Sequence, residues 1–305
     1  MSADILIIGG GPAALTAALY SLRGGCSVKF LEKEAIGGQI ADSPRVENYP
    51  TISEISGLEL SNQMFEQVTS LGADFDMDDA QSIEKTPQGF LVHGTYGDYE
   101  GRAVILATGV KHRHLGIPGE DKFLGHGVSY CAVCDGSFYA GKDVVVIGDA
   151  NSALQYALFL SKTCHHVSLI TLFDCFFADA PLVKALGDCP NISVTHCLSA
   201  QSFNGGSNLE SITFQNTNTK ELVTVPCAGA FVAIGQIPDN DRFGNLVDLD
   251  RGYIVTDEDM ATRTPGLFAA GDCRKKKWRQ VITACGDGAT ASLSAQHYLS
   301  VISSK

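Results

Sequence analysis

Ile5-Leu6-Ile7-Ile8-Gly9-Gly10-Gly11-Pro12-Ala13-Ala14 decides the fold of this chain. Four consecutive apolar residues read as a parallel strand buried on both faces. The glycine run has the spacing G-x-G-x-x-A, and Leu15 to Leu22 reads as a helix. Gly9 supplies the tight turn, Gly11 lets a pyrophosphate approach the backbone, and Ala14 lets the helix pack closely on the strand. The helix N-terminus then faces the phosphates. A second strand, Ser27 to Leu31, ends at Glu32, 18 residues past Ala14. A carboxylate at that distance can hold a ribose hydroxyl pair, so the segment reads as a dinucleotide-binding unit.

A similar strand–turn–helix start recurs at Val144 to Ile147, followed by Gly148. The chain therefore reads as α/β, with two Rossmann-like three-layer nucleotide-binding domains. Just ahead of the second start lies Cys131-Ala132-Val133-Cys134-Asp135-Gly136. Two cysteines at this spacing can close a reversible disulfide, and Asp135 is placed to pass protons. A zinc site needs about four ligands. The other eight cysteines form no second C-x-x-C and no suitably spaced His pair is near, so no metal is expected. Those eight are expected to be small buried hydrophobes.

The 305 residues are 45% hydrophobic and 18% charged, as in a globular protein, and long enough for two domains. A net charge of −12 excludes nucleic acid as the natural partner, since phosphates would be repelled. No apolar run reaches the roughly 18 residues of a membrane span. Met1 to Asp4 lead straight into a strand with no basic leader, and the ten cysteines then imply a reducing, cytoplasmic location.

With these pieces in view, the chain resembles the low-molecular-weight thioredoxin reductase family along nearly its whole length. The resemblance is carried by the first glycine loop, Gly37-Gly38-Gln39-Ile40, Glu47-Asn48-Tyr49-Pro50 and Ala107-Thr108-Gly109. It continues through Ile117-Pro118-Gly119-Glu120, the cysteine hexapeptide, Gly271-Asp272-Cys273, Arg279-Gln280-Val281 and Gly286-Asp287-Gly288-Ala289. It implies FAD in the first unit, held by Gly9, Gly11, Pro12, Ala14, Glu32 and Lys33. Gly38, Gln39 and Asn48 would lie toward the isoalloxazine ring, with Thr108 and Gly109 beside the site. Gly271 and Asp272 would meet the ribityl–phosphate part, and Arg279, Gln280 and Val281 the pyrimidine end. It further implies Cys134 as the flavin-facing sulfur, Cys131 as the attacking sulfur, a thioredoxin substrate and a homodimer. Because the FAD features flank the second unit, the FAD-binding domain is expected at 1–110 and 245–305, with the dithiol domain at 111–244 inserted. Lys111 to His114 and Pro238 to Asn245 read as hinges about which the inserted domain swivels, because the dithiol cannot face flavin and an external protein together.

The resemblance fails at the second nucleotide site. NADPH-using members carry G-G-G-x-S-A there, but this chain has Gly148-Asp149-Ala150-Asn151-Ser152-Ala153. The Ala150 methyl blocks the pyrophosphate approach, and Asp149 repels it. Where those members carry H-R-R-x-x-x-R, this chain has Thr171-Leu172-Phe173-Asp174-Cys175-Phe176-Phe177. No Arg is available to fork onto a 2′-phosphate. The four apolar side chains of this run are expected to pack into the domain core, the alternative being a contact surface.

The chain thus resembles the ferredoxin-dependent flavin branch of the family, which lacks both NADPH motifs. Flavin suits that task because it takes single electrons and passes on a pair. Arg274-Lys275-Lys276-Lys277-Trp278-Arg279, the densest basic run, reads either as a solvated loop or as the feature that steers an acidic ferredoxin. Trp278 reads as a packed residue or a lid over flavin or partner. The competing readings are an NADPH- or NADH-dependent reductase with an unconventional nucleotide site, an oxygen-dependent dithiol oxidase, and an idle FAD-binding interaction protein. The intact cysteine pair opposes the last.

Overall fold

A computed structural model describes residues 2–43 and 46–303. They divide into two compact units: one of residues up to 111 and from 237 onward, the other of residues 112–236. Residues 237–244, read from sequence as part of the inserted piece, belong to the first unit. There Asp239 pairs with Lys33 at 2.8 Å, and Phe243 is fully buried among strand residues such as Leu6 and Val104.

The first unit opens with β1 (Ala3–Ile8), α1 (Pro12–Arg23), β2 (Val28–Glu32), α2 (Gly57–Ser70) and β3 (Asp74–Met77). A meander follows, β4 (Ala80–Thr86), β5 (Gly89–Gly94) and β6 (Asp98–Leu106). The strand order is β3-β2-β1-β6-β5-β4. The β3-β2-β1-β6 pairs are parallel, and the meander pairs are antiparallel.

Alternation along β1 explains the layering. Ile5 and Ile7 face α1, while Leu6 and Ile8 face the meander with Phe90 and Val92. All four are buried, each contributing about 1.5–3 kcal/mol relative to exposure. Helix α1 runs close to the C-terminal helix (Val281–Ser303) because the facing side chains are small: Ala14, Ala17 and Ala18 meet Ala291 and Ala295. A Cβ on Gly288 would lie 2.2 Å from the Ala13 carbonyl oxygen.

The second unit contains β7 (Val128–Ser129), α3 (Ala132–Asp135), β8 (Asp143–Ile147), α4 (Asn151–Leu160), β9 (His166–Ile170), α5 (Ala180–Gly187) and β10 (Ile192–Thr195). It ends with β11 (Leu198–Gly205), β12 (Leu209–Asn216), β13 (Leu222–Pro226) and β14 (Gly229–Val232). Its parallel sheet has the order β10-β9-β8-β14-β7. Val144 and Val146 face α4, while Val145 and Ile147 face the antiparallel layer β11-β12-β13 through Ile212 and Phe214. Each unit is thus a Rossmann-like layered α/β fold. Among the described residues no helix is long and apolar enough to cross a membrane.

Candidate active site

Cys131 and Cys134 are joined in a disulfide with Cα atoms 5.3 Å apart. The sequence explains the turn. Ala132 is fully buried against the α4 layer, and a Cβ on Gly136 would lie 2.8 Å from Leu160, so small residues seat the turn on that helix. Cys131 is the N-cap of α3, and its sulfur accepts the Cys134 N–H at 3.2 Å.

Asp135 has one oxygen 2.6 Å from the Ser129 hydroxyl, which donates to it, and one buried oxygen without a partner among the described residues. Burial raises its pKa, against the lowering effect of the Ser129 bond. A carboxyl so placed holds its proton to higher pH than an ordinary one, as a proton donor to a departing thiolate needs. We expect Asp135→Asn to slow disulfide exchange roughly 10²-fold. A donor role requires the protonated carboxyl, so the wild-type rate should fall as pH rises through its raised pKa. The variant loses that limb in a stopped-flow pH profile; an unchanged profile contradicts the role.

A network that the sequence reading did not single out braces this turn. The Tyr130 hydroxyl donates to buried Glu120 at 2.7 Å and meets His114 Nδ1 at 2.8 Å. His112 stacks on the Tyr130 ring, with centroids 5.1 Å apart, and burial pushes its pKa down to about 4. The Tyr156 hydroxyl donates to the Tyr130 carbonyl at 3.1 Å. Only Tyr130 lies next to the cysteines in sequence, so spacing gave no signal for its partners.

In the first unit the glycine loop has the expected construction. Gly9 has φ +124°, and a Cβ there would lie 2.2 Å from the Ala107 carbonyl oxygen. Gly11 caps α1 without side-chain help, next to Pro12 at the helix start, leaving N–H groups for phosphate. Glu32 accepts the Gly10 N–H at 2.6 Å and the Glu34 N–H at 2.8 Å. Thus part of its hydrogen-bonding capacity braces the loop. Lys33 is held by Asp239.

The other residues assigned by resemblance occupy the same unit. Gly38 begins a 3₁₀ turn with φ +55°, and Gln39 donates to the Val110 carbonyl. Asn48 donates to Gln280 at 3.2 Å. Thr108 donates to buried Asn240 at 2.8 Å beside Gly109, whose φ is +65°. Asn240, another residue not singled out, also donates to the Gly252 and Cys273 carbonyls. Gly271 has φ +80°. Asp272 has a buried oxygen without a partner among the described residues, and burial pushes its pKa up to about 6. Arg279 donates to the Asp272 carbonyl and lies 4.2 Å over the Tyr253 ring, while Val281 starts the C-terminal helix.

These features fit FAD. The bare helix start suits a pyrophosphate, and the orphaned Asp272 oxygen suits a hydroxyl donor. A Cβ on Gly11 would meet only the Gly37 carbonyl oxygen, at 3.7 Å, so the protein tolerates it although the phosphates do not. We expect Gly11→Ala to fold but to bind FAD about 10–100-fold more weakly, from one lost charged hydrogen bond. Fluorescence of released FAD beside an apoprotein melt measures both. Wild-type FAD affinity in a folded variant contradicts the site.

The second nucleotide position is built differently. Ala150 caps α4 with extended backbone, as Gly11 caps α1, but carries a methyl. Asp149 accepts the Phe173 N–H at 3.2 Å, and its carbonyl accepts the Phe177 N–H at 2.8 Å. The strap 171–177 therefore closes onto the loop. Burial raises the Asp149 pKa, opposed by the Phe173 and Leu172 N–H groups.

Of the four apolar strap residues expected in the core, only Phe176 packs there. Leu172 is exposed, Phe173 is 50% exposed and Phe177 61%, because the strap folds over the loop rather than under the sheet. The single cysteines also depart from expectation: Cys175 is exposed, and Cys26, Cys189 and Cys197 are half-buried.

The basic run is largely neutralised within its own unit. Lys275 pairs with Asp250 at 2.7 Å, and Lys276, only 9% exposed, pairs with Asp287 at 2.7 Å. Lys277 lies over Trp278, which is 59% exposed rather than packed. Lys276 is therefore excluded from the predicted steering role, since its partner is Asp287.

The pyridine nucleotide-disulphide oxidoreductase profile matches residues 3–288. The chain belongs to that family. It is 37% identical to the thioredoxin reductase of Bacillus subtilis (strain 168), over 97% of this chain and 94% of that one. The crystal structure of thioredoxin reductase from Streptococcus pyogenes MGAS5005 superposes with a TM-score of 0.94 at 35% identity, covering 98% of this chain and 99% of that one. A ferredoxin-flavin thioredoxin reductase from Clostridium acetobutylicum gives 0.56 at 26% identity, covering both chains fully. The protein is an FAD-dependent disulfide oxidoreductase of the thioredoxin reductase type.

Proposed function

We propose that this enzyme reduces the disulfide of a thioredoxin-like protein and draws its electrons from a reduced ferredoxin rather than from NADPH. The observation that carries the donor assignment is the strap held on Asp149. A dinucleotide would have to break those two hydrogen bonds, at about 0.5–1.5 kcal/mol each. It would then meet the Asp149 carboxylate and the Ala150 methyl, with no cation in the strap for a 2′-phosphate.

Bound flavin supplies stepwise uptake of single electrons and delivery of a pair. The Cys131–Cys134 disulfide takes up two electrons and two protons to become a dithiol. The Cys131 thiolate attacks the partner disulfide and forms a mixed disulfide. Cys134 then displaces the partner, which leaves with both electrons and gains two protons. Asp135 donates to the departing sulfur.

The test is multiple-turnover reduction of a thioredoxin disulfide. Reduced ferredoxin should sustain it, while NADPH at about millimolar concentration should not, given the lost charged contacts. Turnover sustained by NADPH alone overturns the donor assignment.

A further inference from the structure

The strap and the turn packed against it carry one free thiol each, Cys175 and Cys197. Cys175 lies between Phe173 and Phe176, and both flanks touch the turn that holds Cys197. The Phe173 carbonyl accepts the Cys197 N–H at 3.3 Å. The Phe176 ring stands edge-on to His196, with centroids 5.0 Å apart. Buried Thr171 ties the same segments, donating to the Phe173 carbonyl at 2.7 Å and meeting His196 Nδ1 at 2.7 Å.

Cys197 has φ +62°, a left-handed conformation uncommon outside glycine. Cys175 is exposed and both thiols are free. The dithiol turn at Cys131 does not involve either sulfur.

We propose that Cys175 and Cys197 form a second, redox-sensitive dithiol that ties the strap to the turn at Cys197 and so holds it in place over the degraded nucleotide loop. The oxidant is a low-molecular-weight disulfide. One thiolate of the pair attacks it, releasing one small thiol. The second thiolate displaces the other small thiol and closes the Cys175–Cys197 bond. Two protein thiols lose two electrons and two protons, and the small disulfide gains both to become two thiols.

Partial desolvation, the Asp174 and Asp149 carboxylates and the Cys197 thiol all push the Cys175 pKa up. Cys175 therefore holds little thiolate at neutral pH, and closure quickens as pH rises. The lock adds a covalent tie between the strap and the Cys197 turn, beside the Phe173 N–H bond to the Asp149 carboxylate and the Phe177 N–H bond to the Asp149 carbonyl that hold the strap on the loop.

The test incubates the FAD-loaded enzyme with glutathione disulfide, alkylates the remaining thiols and maps peptides without reduction. Wild type should give a peptide joining Cys175 to Cys197. Amide exchange at Phe173 and Phe177 should slow about tenfold on closure. Cys175→Ser should lose the link and leave Cys197 alkylated or carrying glutathione, with FAD content as the check on folding. Cys189→Ser should keep the link. Independent alkylation or glutathionylation of Cys175 and Cys197 in wild type, with no joined peptide, overturns the proposal. So does a link that leaves both amides exchanging at the original rate.

Discussion

Cys134→Ser abolishes turnover and converts the enzyme into a trap that retains its substrate as a mixed disulfide. The expected loss is at least 10³-fold, because the resolving thiol has no substitute and thiol–disulfide exchange needs a positioned thiolate. Cys131→Ser abolishes turnover equally but traps nothing, since the N-capping sulfur that attacks is gone. Non-reducing electrophoresis with a thioredoxin substrate reads both outcomes, and FAD content reports folding. The contrast rests on the proposed roles, Cys131 attacking and Cys134 resolving, with the Cys134 N–H 3.2 Å from the Cys131 sulfur as the contact in keeping with them. Near-normal turnover in either variant contradicts the dithiol assignment. A trap formed by Cys131→Ser instead reverses the roles.

The second large effect concerns the nucleotide. Losing charged contacts to both the pyrophosphate and the 2′-phosphate, at about 1.5–3 kcal/mol each, weakens NADPH by about 10²–10⁴-fold. Replacing only Ala150 by Gly should restore nothing, because Asp149 still holds the strap through Phe173 and Phe177. Combining Asp149→Gly and Ala150→Gly with Leu172→Arg and Phe173→Arg removes the repulsion and supplies two guanidinium forks. That variant should bind NADPH at least tenfold more tightly than wild type. Equal binding by wild type and variant in calorimetry contradicts the account of the loop.

Much of this was legible in the sequence for a physical reason. The Ile5 to Ala14 run is readable because its apolar residues and glycine spacing lie together in the chain. Gly9 takes a left-handed φ of +124° that its neighbours in sequence already suggest, although the Ala107 carbonyl beside it is seen only in the fold. The Cys131 to Gly136 turn is equally local. What could not be read depends on contacts between residues far apart in the chain. Lys276 looked free until Asp287 was seen beside it in the fold, and Lys275 until Asp250 was. Glu120 and His114 become relevant to the dithiol only because Tyr130 points its hydroxyl at both. The apolar strap residues invited a core assignment, yet hydrogen bonds to Asp149 lay the segment over the loop and leave Phe173 and Phe177 outside. Asn240 carried no pattern at all, although its side chain ties Thr108 to the Gly252 and Cys273 carbonyls.

Anaerobic titration of the oxidised holoenzyme tests the donor assignment most directly. NADPH, NADH and reduced ferredoxin are added separately while flavin absorbance is followed. The account predicts rapid, complete bleaching by reduced ferredoxin and none by NADPH or NADH up to about millimolar concentration, as the missing phosphate contacts require. Rapid bleaching by micromolar NADPH contradicts it and restores an ordinary pyridine-nucleotide reductase.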